Sequence, residues 1–339
     1  SEQWSKIDEV PFDFERRCVS VLVESGSKKI LIAKGAPEEI LAKCTQWDSA
    51  DGIESLNQDR LDKILNLQRS LGSDGFKVLG IAWREVSDCH QHAVINDESQ
   101  LVFSGFAAFL DPPKDSAASA IKQLTQSGVS IRVLTGDSEE VTRYVCSVLG
   151  LPIKGVLLGR DISKVDDASL SALIHETNIF CRINPSEKER IIRAFKANGH
   201  TVGYLGDGIN DAPSLHTADV GISVDSAVDV AREAADLILL HNDLNVLNDG
   251  VTEGRRTYAN IMKYIMMGTS SNFGNMFSMA AASLFLPFLP LLPAQVLLNN
   301  LLYDVSEFAI PMDNVDAESL QRPHAWNVDF IRNFMWAAG

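Results

Sequence analysis

The chain has 339 residues, room for two or three domains, and its 45% hydrophobic and 22% charged content allows a packed core. A formal net charge of −15 argues against nucleic-acid binding, which needs a basic face to neutralise phosphates. Five scattered cysteines (Cys18, Cys44, Cys89, Cys146, Cys181), without a CxxC or a His pairing, give neither a zinc site nor a disulfide framework and suit a reducing compartment.

The first residues lack the basic and apolar regions of a signal peptide, and there is no initiator Met. The chain stops in an apolar run at 333–339, so both ends read as cut. Residues 1–103 read as α+β. Strands are expected over 19–23 and 29–33 with Gly26 in the turn, a helix over 59–71 and a strand over 77–83. Residues 104–257 alternate strand and helix. Strands are expected at 130–134, 178–181, 201–205 and 220–223, with helices after Asp137, after Asn184 and over 212–218. Helices between strands imply a parallel sheet covered on both faces, with ligands beyond the strand ends. Residues 258–312 change character. No charged residue occurs from 264 to 303, a length that fits two membrane spans broken at Pro287, Pro290 and Pro293. A buried helical hairpin in a soluble domain is the plainer alternative. Arg255, Arg256 and Lys263 would set the preceding end in the cytoplasm. Residues 313–339 read as a cytoplasmic loop and the start of a further helix.

Each acidic or hydroxyl cluster of the alternating region follows a strand. Thr135 offers a hydroxyl, and the Gly136 turn frees backbone N–H groups for phosphate oxygens. Lys188 brings a point charge early in a helix. Asp207 and Asp211 lie four apart on Gly206-Asp-Gly-Ile-Asn-Asp211, where two hard carboxylates with a phosphate oxygen and waters would hold Mg²⁺. Together they describe metal-assisted phosphoryl transfer. Each alone reads equally as a turn or a solvated helix face. There is no GxxxxGK[ST] and no GxGxxG, so neither a P-loop nor a Rossmann reading has support.

Leu205-Gly-Asp-Gly-Ile-Asn-Asp-Ala-Pro213 resembles the hinge signature of the P-type ATPases, with Leu205 where most members carry Thr. Thr135-Gly-Asp137, Asp111-Pro-Pro113 and Asn184-Pro-Ser-Glu-Lys188 are similar to three further motifs of that family. The resemblance implies an α/β fold in three parts. These are a partial nucleotide-binding α+β domain (1–103), a haloacid-dehalogenase-like parallel-sheet domain (104–257) lacking the strand of its phosphorylated Asp, and a transmembrane helical hairpin (258–312). It also implies roles. Lys188 would steady the phosphoaspartate, Asp207 would ligate Mg²⁺, Thr135 and Gly136 would hold phosphoryl oxygens, and Asp137, Asn210 and Asp211 would complete the site. Lys34-Gly-Ala-Pro-Glu38 resembles the signature of the nucleotide-binding domain. Phe12, followed by Arg16, Arg17 and Ser20, resembles the segment whose Phe stacks on adenine, and Arg84 a phosphate-contacting Arg. An aromatic face and cations suit a nucleotide, so Phe12, Lys34, Gly35, Arg84 and Asp111 are the expected nucleotide residues. Without the resemblance Phe12 reads as a core residue. The family's Asp-Lys-Thr-Gly-Thr motif and its Thr-Gly-Glu loop appear nowhere in these 339 residues.

In the apolar region Asn272 and Asn275 share a helix face, as do Asn300 and Asp304. Polar groups at bilayer depth are expensive and line paths or sites, although the small residues 268–271 also suit helix packing. By resemblance the four match ion-site positions. A single carboxylate suits one partly hydrated ion, as Mg²⁺ prefers, and Asn299-Asn-Leu-Leu-Tyr-Asp304 with Ile310-Pro-Met-Asp-Asn-Val-Asp316 resembles the magnesium-importing branch. The expectation is part of an ATP-driven magnesium pump in a plasma or inner membrane, with residues 1–257 cytoplasmic. It would use ATP and Mg²⁺, with the bilayer, a transported divalent cation and a missing N-terminal part as partners. It would be inactive alone, for want of the nucleophile. The alternatives are a soluble phosphatase of that fold, a calcium or proton pump, and a non-catalytic nucleotide-binding fragment.

Overall fold

Alternating apolar residues drive the first third of the chain into strands. The computed structural model describes residues 4–13, 16–87, 90–241, 243–288 and 290–338, so Cys89 lies outside it. The first third runs β1 (Ser5–Asp13), β2 (Cys18–Ser25), β3 (Lys28–Gly35), α1 (Pro37–Ala42), β4 (Cys44–Ser49), β5 (Gly52–Ser55), α2 (Gln58–Ser73), β6 (Phe76–Val86) and β7 (Leu101–Leu110). The strands form one seven-stranded sheet in the order β1-β2-β3-β6-β7-β4-β5, antiparallel except where β4 meets β7. Cys18, Ser20 and Leu22, two apart on β2, are all buried, as a period of two requires. Ala33, Ala82, Leu101 and Phe103 join Cys18 in a core covered by Ile40 and Leu41 of α1 and by Leu61, Ile64 and Leu65 of α2.

One buried charge fixes this sheet to its connections. Glu98 is 3% exposed. It accepts from Arg16, from Lys43 Nζ at 2.6 Å and from Ser20 Oγ at 2.9 Å. Burial raises its pKa, but the bonds from Arg16, Lys43 and Ser20 outweigh that and bring it down to about 2.

The alternating region follows as α3 (Asp115–Gln126), β8 (Val133–Leu134), α4 (Glu139–Val148), β9 (Val156–Leu158), α5 (Gly159–Ile162), α6 (Asp167–Glu176), β10 (Ile179–Cys181), α7 (Pro185–Ala197), β11 (Gly203–Leu205), α8 (Ala212–Thr217), β12 (Val220–Val224), α9 (Asp229–Ala234) and β13 (Leu237–Leu239). The parallel pairing expected here is present, split into two sheets of three strands, β8-β10-β9 and β11-β12-β13. Among the described residues β8 pairs only with β10, and β11 only with β12. The strand expected over 130–134 is reduced to two residues, because pairing begins at Val133. Leu134 and Val202 pack against both neighbouring clusters, one around Phe180, Ile174 and Ile191 and one around Ile192, Leu215 and Ala231. The half-sheets thus share a core without sharing a hydrogen-bonded ladder.

The chain divides into two compact units, Ser1–Asp115 with Arg132–Asn242, and Ser116–Ile131 with Asp243–Gly339. The second unit is helical, with α10 (Asn245–Phe285), α11 (Pro293–Glu307), α12 (Ala317–Gln321) and α13 (Val328–Ala338). Ser119 and Ser127 of its first segment donate to Asn245 and Asn248 at 2.8 and 3.0 Å. Trp336 of α13 meets Phe273 of α10 edge-on with ring centroids 4.8 Å apart. Lys263 Nζ lies 2.7 Å from Asp313, and Asn260 donates to the carbonyls of Pro311 and Asp313 at 3.3 Å.

The two expected membrane spans are not supported in this unit. Among the described residues no helix is long and apolar enough to cross a membrane. The break at 286–292 is where the prolines put it, and the 15 residues of α11 reach about 22 Å, short of a hydrocarbon core of about 30 Å. The end of α10 is uncharged but dilute in apolar residues, because Thr269, Ser270, Ser271, Asn272, Asn275 and three glycyl and seryl neighbours (Gly268, Gly274, Ser278) interrupt it.

Candidate functional site

Within the first unit a cavity of about 670 Å³ is lined by Phe12, Arg17, Lys34, Gly35, Lys77, Asp111, Gly136, Asp137 and Arg182, among others. Phe12, near the end of β1, is 53% exposed, so it presents its ring to the cavity and is not a core residue. Lys34 and Gly35 end β3. A Cβ on Gly35 would lie 2.4 Å from the Arg17 carbonyl, so the close approach of β2 and β3 here admits only glycine. The Lys34 side chain is exposed and has no hydrogen-bond or ion-pair partner among the described residues. Lys77 opens β6 and reaches Asp111 at 2.9 Å and Asp137 at 3.5 Å. Burial works against its charge, but the Asp111 hydrogen bond and the Asp137 carboxylate prevail and raise its pKa.

A second cavity of about 390 Å³ adjoins the same residues and is lined by Phe12, Arg17, Gly136, Arg160, Arg182, Asn184, Lys188 and Asn210, among others. Local sequence explains the placement of Lys188. Asn184 caps α7, accepting from Glu187 N–H at 2.9 Å, while Glu187 Oε2 accepts from Asn184 N–H at 2.9 Å. With Pro185 in the first turn, this capping box fixes where the helix starts and sets Lys188 just inside it. Lys188 Nζ then donates to Asp211 Oδ1 at 2.7 Å, where Tyr204 Oη also donates at 2.6 Å, and Gly208 N–H donates to Oδ2 at 3.2 Å. Burial pushes the Asp211 carboxyl up, but the bonds from Lys188 and Tyr204 hold it below the usual carboxylate range. Burial and that carboxylate together raise the Tyr204 hydroxyl. A Cβ on Gly206 would stand 2.6 Å from Asp211 Cβ, which accounts for glycine in this turn.

Gly136, Lys188 and Asn210 therefore come to one cavity, and Asp211 joins them through Lys188. Thr135 stands beside Gly136, its Oγ1 accepting from Asp137 N–H at 3.0 Å. Asp207 is exposed and makes no side-chain hydrogen bond among the described residues. Asp207 and Asp211 were the expected Mg²⁺ ligands. Among the described residues no three His, Cys, Asp or Glu gather as a ready metal cage, and both Asp211 oxygens already accept hydrogen bonds. Asp207 alone offers an uncommitted carboxylate.

Arg84 is not brought to either cavity. It donates to the carbonyls of Asp97 and Ser99 at 3.3 and 3.0 Å. Lys77 and Arg182 line the first cavity, and the sequence reading did not select them. Arg182 directly follows β10, a place where sites gather in α/β sheets, and that signal could have found it. In the second unit Asn272, Asn300 and Asp304 are exposed and Asn275 is half-buried. Glu307, three residues beyond Asp304, is instead 6% exposed, with its Oε1 lacking a partner among the described residues.

Residues 1–116 match the family model of the P-type ATPase cytoplasmic domain N. Over 336 residues, 99% of this chain and 37% of the relative, the chain is 50% identical to the magnesium-transporting ATPase, P-type 1, of Salmonella typhimurium LT2, and equally to that of Escherichia coli K12. It is 30% identical over 337 residues to the calcium-transporting ATPase of Bacillus subtilis, covering 97% of this chain and 38% of that protein. The chain belongs to the P-type ATPase family, and its identity to the magnesium-transporting relatives exceeds that to the calcium-transporting one. It spans little more than a third of the length of the curated relatives it matches.

Proposed function

We propose that this chain is part of the catalytic unit of a magnesium-transporting P-type pump. The pump would transfer the terminal phosphoryl group of ATP to an aspartate outside these residues. The observation that carries the reading is the cavity where Phe12, Lys34 and Lys77 of the first sheet face Gly136 and Asp137 of the alternating region. An aromatic face suits adenine, and the lysines and arginines suit a polyphosphate. Lys188, held by Asp211, would meet the phosphoryl oxygens together with Thr135 and the Gly136 turn. Mg²⁺ bound at Asp207 would supply charge neutralisation with few protein ligands, as this ion accepts. The role of Asp211 is then to position Lys188, with any metal contact secondary.

Residence of residues 264–303 in a bilayer is part of the same proposal. Its support is the run without charge and the exposure of Leu284, Phe285, Leu297, Leu301 and Phe308. Asn272, Asn275, Asn300 and Asp304 would then face the transported ion, with residues 1–257 on the cytoplasmic side.

Nucleotide titration tests the cavity. Phe12→Ala should weaken ATP binding by about 1–3 kcal/mol, the worth of a stacked base elsewhere, without lowering the melting temperature, because the ring is exposed. Equal affinities for the variant and the parent would sink the reading.

A further inference from the structure

Two cations that face the cavity are already occupied by a carboxylate of the chain itself. Glu38 stands in the first turn of α1, three residues past Gly35. Arg182 meets it with both arms of the guanidinium, Nη1 lying 3.0 Å from Oε1 and Nη2 donating to Oε2 at 3.2 Å. Arg17 Nη1 lies 3.7 Å from the same Oε1, and its Nη2 donates to the Gly136 carbonyl at 3.3 Å. Both arginines hold left-handed backbone conformations, with φ of 50° for Arg17 and 55° for Arg182. Side chains with a Cβ adopt that region at a cost, so the surrounding structure must enforce it. The three side chains are only 24–38% exposed, which limits screening of their charges.

A guanidinium takes a phosphate with the same two-armed geometry that Arg182 uses for Glu38. We propose that Glu38 is an internal stand-in for phosphate, a latch that keeps Arg17 and Arg182 engaged until a polyphosphate displaces it. The proposal rests on the nucleotide reading of the cavity and adds a regulatory contact to it. Each incoming polyphosphate must compete with Glu38, so the latch weakens binding and favours ligands carrying several phosphate charges over those carrying one.

The test uses the full-length pump and this chain, with ATP and inorganic tripolyphosphate as separate probes. Glu38→Gln keeps the shape of the side chain and removes its charge, while Glu39 remains in the first turn of α1. The variant should bind both probes about three- to tenfold more tightly, the scale of releasing a partly exposed two-armed ion pair. Glu38→Asp, with the carboxylate drawn back by one methylene, should fall between the variant and the parent, and it serves as the readout if Glu38→Gln folds poorly. Unchanged or weaker tripolyphosphate binding by both variants overturns the latch. ATP binding no tighter than tripolyphosphate, together with tighter tripolyphosphate binding by Glu38→Gln, supports the latch and overturns the nucleotide reading.

Discussion

Lys77 and Arg84 show what a sequence conveys at the scale of one residue. Both are basic and both lie on β6, seven positions apart. An odd separation puts them on opposite faces of a strand, about 23 Å apart along it, so only one can serve a given cavity. The motif resemblance pointed to Arg84, while the geometry brings Lys77 to Asp111 and Asp137. The positions of Thr135, Gly136 and Lys188 in the fold were legible because each follows a strand or a helix cap that fixes it locally. Glu98 was not legible, because its partners are set by the folding of distant segments, with Arg16 82 positions and Lys43 55 positions away. That network makes stability depend on acid. The folded-state pKa of Glu98 lies below its ordinary value of 4.5, so its contribution is fully present above pH 4.5 and is lost as pH falls toward about 2. A shift of that size is worth about 3 kcal/mol. Unfolding free energies measured between pH 6 and 3 should fall more steeply for the parent than for Glu98→Gln. Parallel curves would mean the buried pair contributes nothing to acid sensitivity.

At the scale of elements, the split between the half-sheets is the main departure from a closed fold. Periodicity gave β8, β10, β11 and β12 and the helices α4, α7 and α8 to within a few residues but missed the short strands β9 and β13 and the helices α3, α5, α6 and α9, and it carries no information about which strands are neighbours. β8 and β11 each present one unpaired edge among the described residues, yet Leu134 and Val202 reach across to common clusters. A strand hydrogen-bonded to both edges would join the two sheets into one of seven strands. The family resemblance places the strand of the phosphorylated Asp there, and exposed edges without it invite aggregation. Extending the chain upstream to include that strand should therefore raise the melting temperature and suppress aggregation. If the extended and present chains melt alike, with equal tendency to associate, the gap between β8 and β11 is not its seat. The hairpin teaches a related point. Its break was written in Pro287, Pro290 and Pro293, but an uncharged stretch does not fix how long or how apolar its helices will be.

On the scale of the whole molecule, the residues proposed for the nucleotide and those proposed for the ion fall on different units, so a change in one set should spare the other. In the full-length protein Asp304→Asn should abolish Mg²⁺ uptake in a transport-deficient strain while ATP affinity stays within about twofold of the parent, because its shape is kept and only the charge is lost. Normal uptake by that variant would remove Asp304 from the ion site. Glu307→Gln is then the next substitution to assay, since its carboxylate is the buried one.

The length of α10 has a mechanical consequence. Its 41 residues form one uninterrupted helix of about 60 Å, pinned near its start through Asn245 and Asn248 and carrying Asn272 and Asn275 near its far end. A rigid rod of that length is a lever, and a tilt of about 5° at the pinned end displaces the other by about 5 Å, the rise of one helical turn. Its stiffness is uneven. Gly250 and Gly254, with nothing within 4 Å of where a Cβ would stand, lie one turn apart close to the pivot, and glycine is the residue that weakens a helix most after proline. A torque applied at the serine contacts would reach the asparagines only as faithfully as those two glycines resist bending.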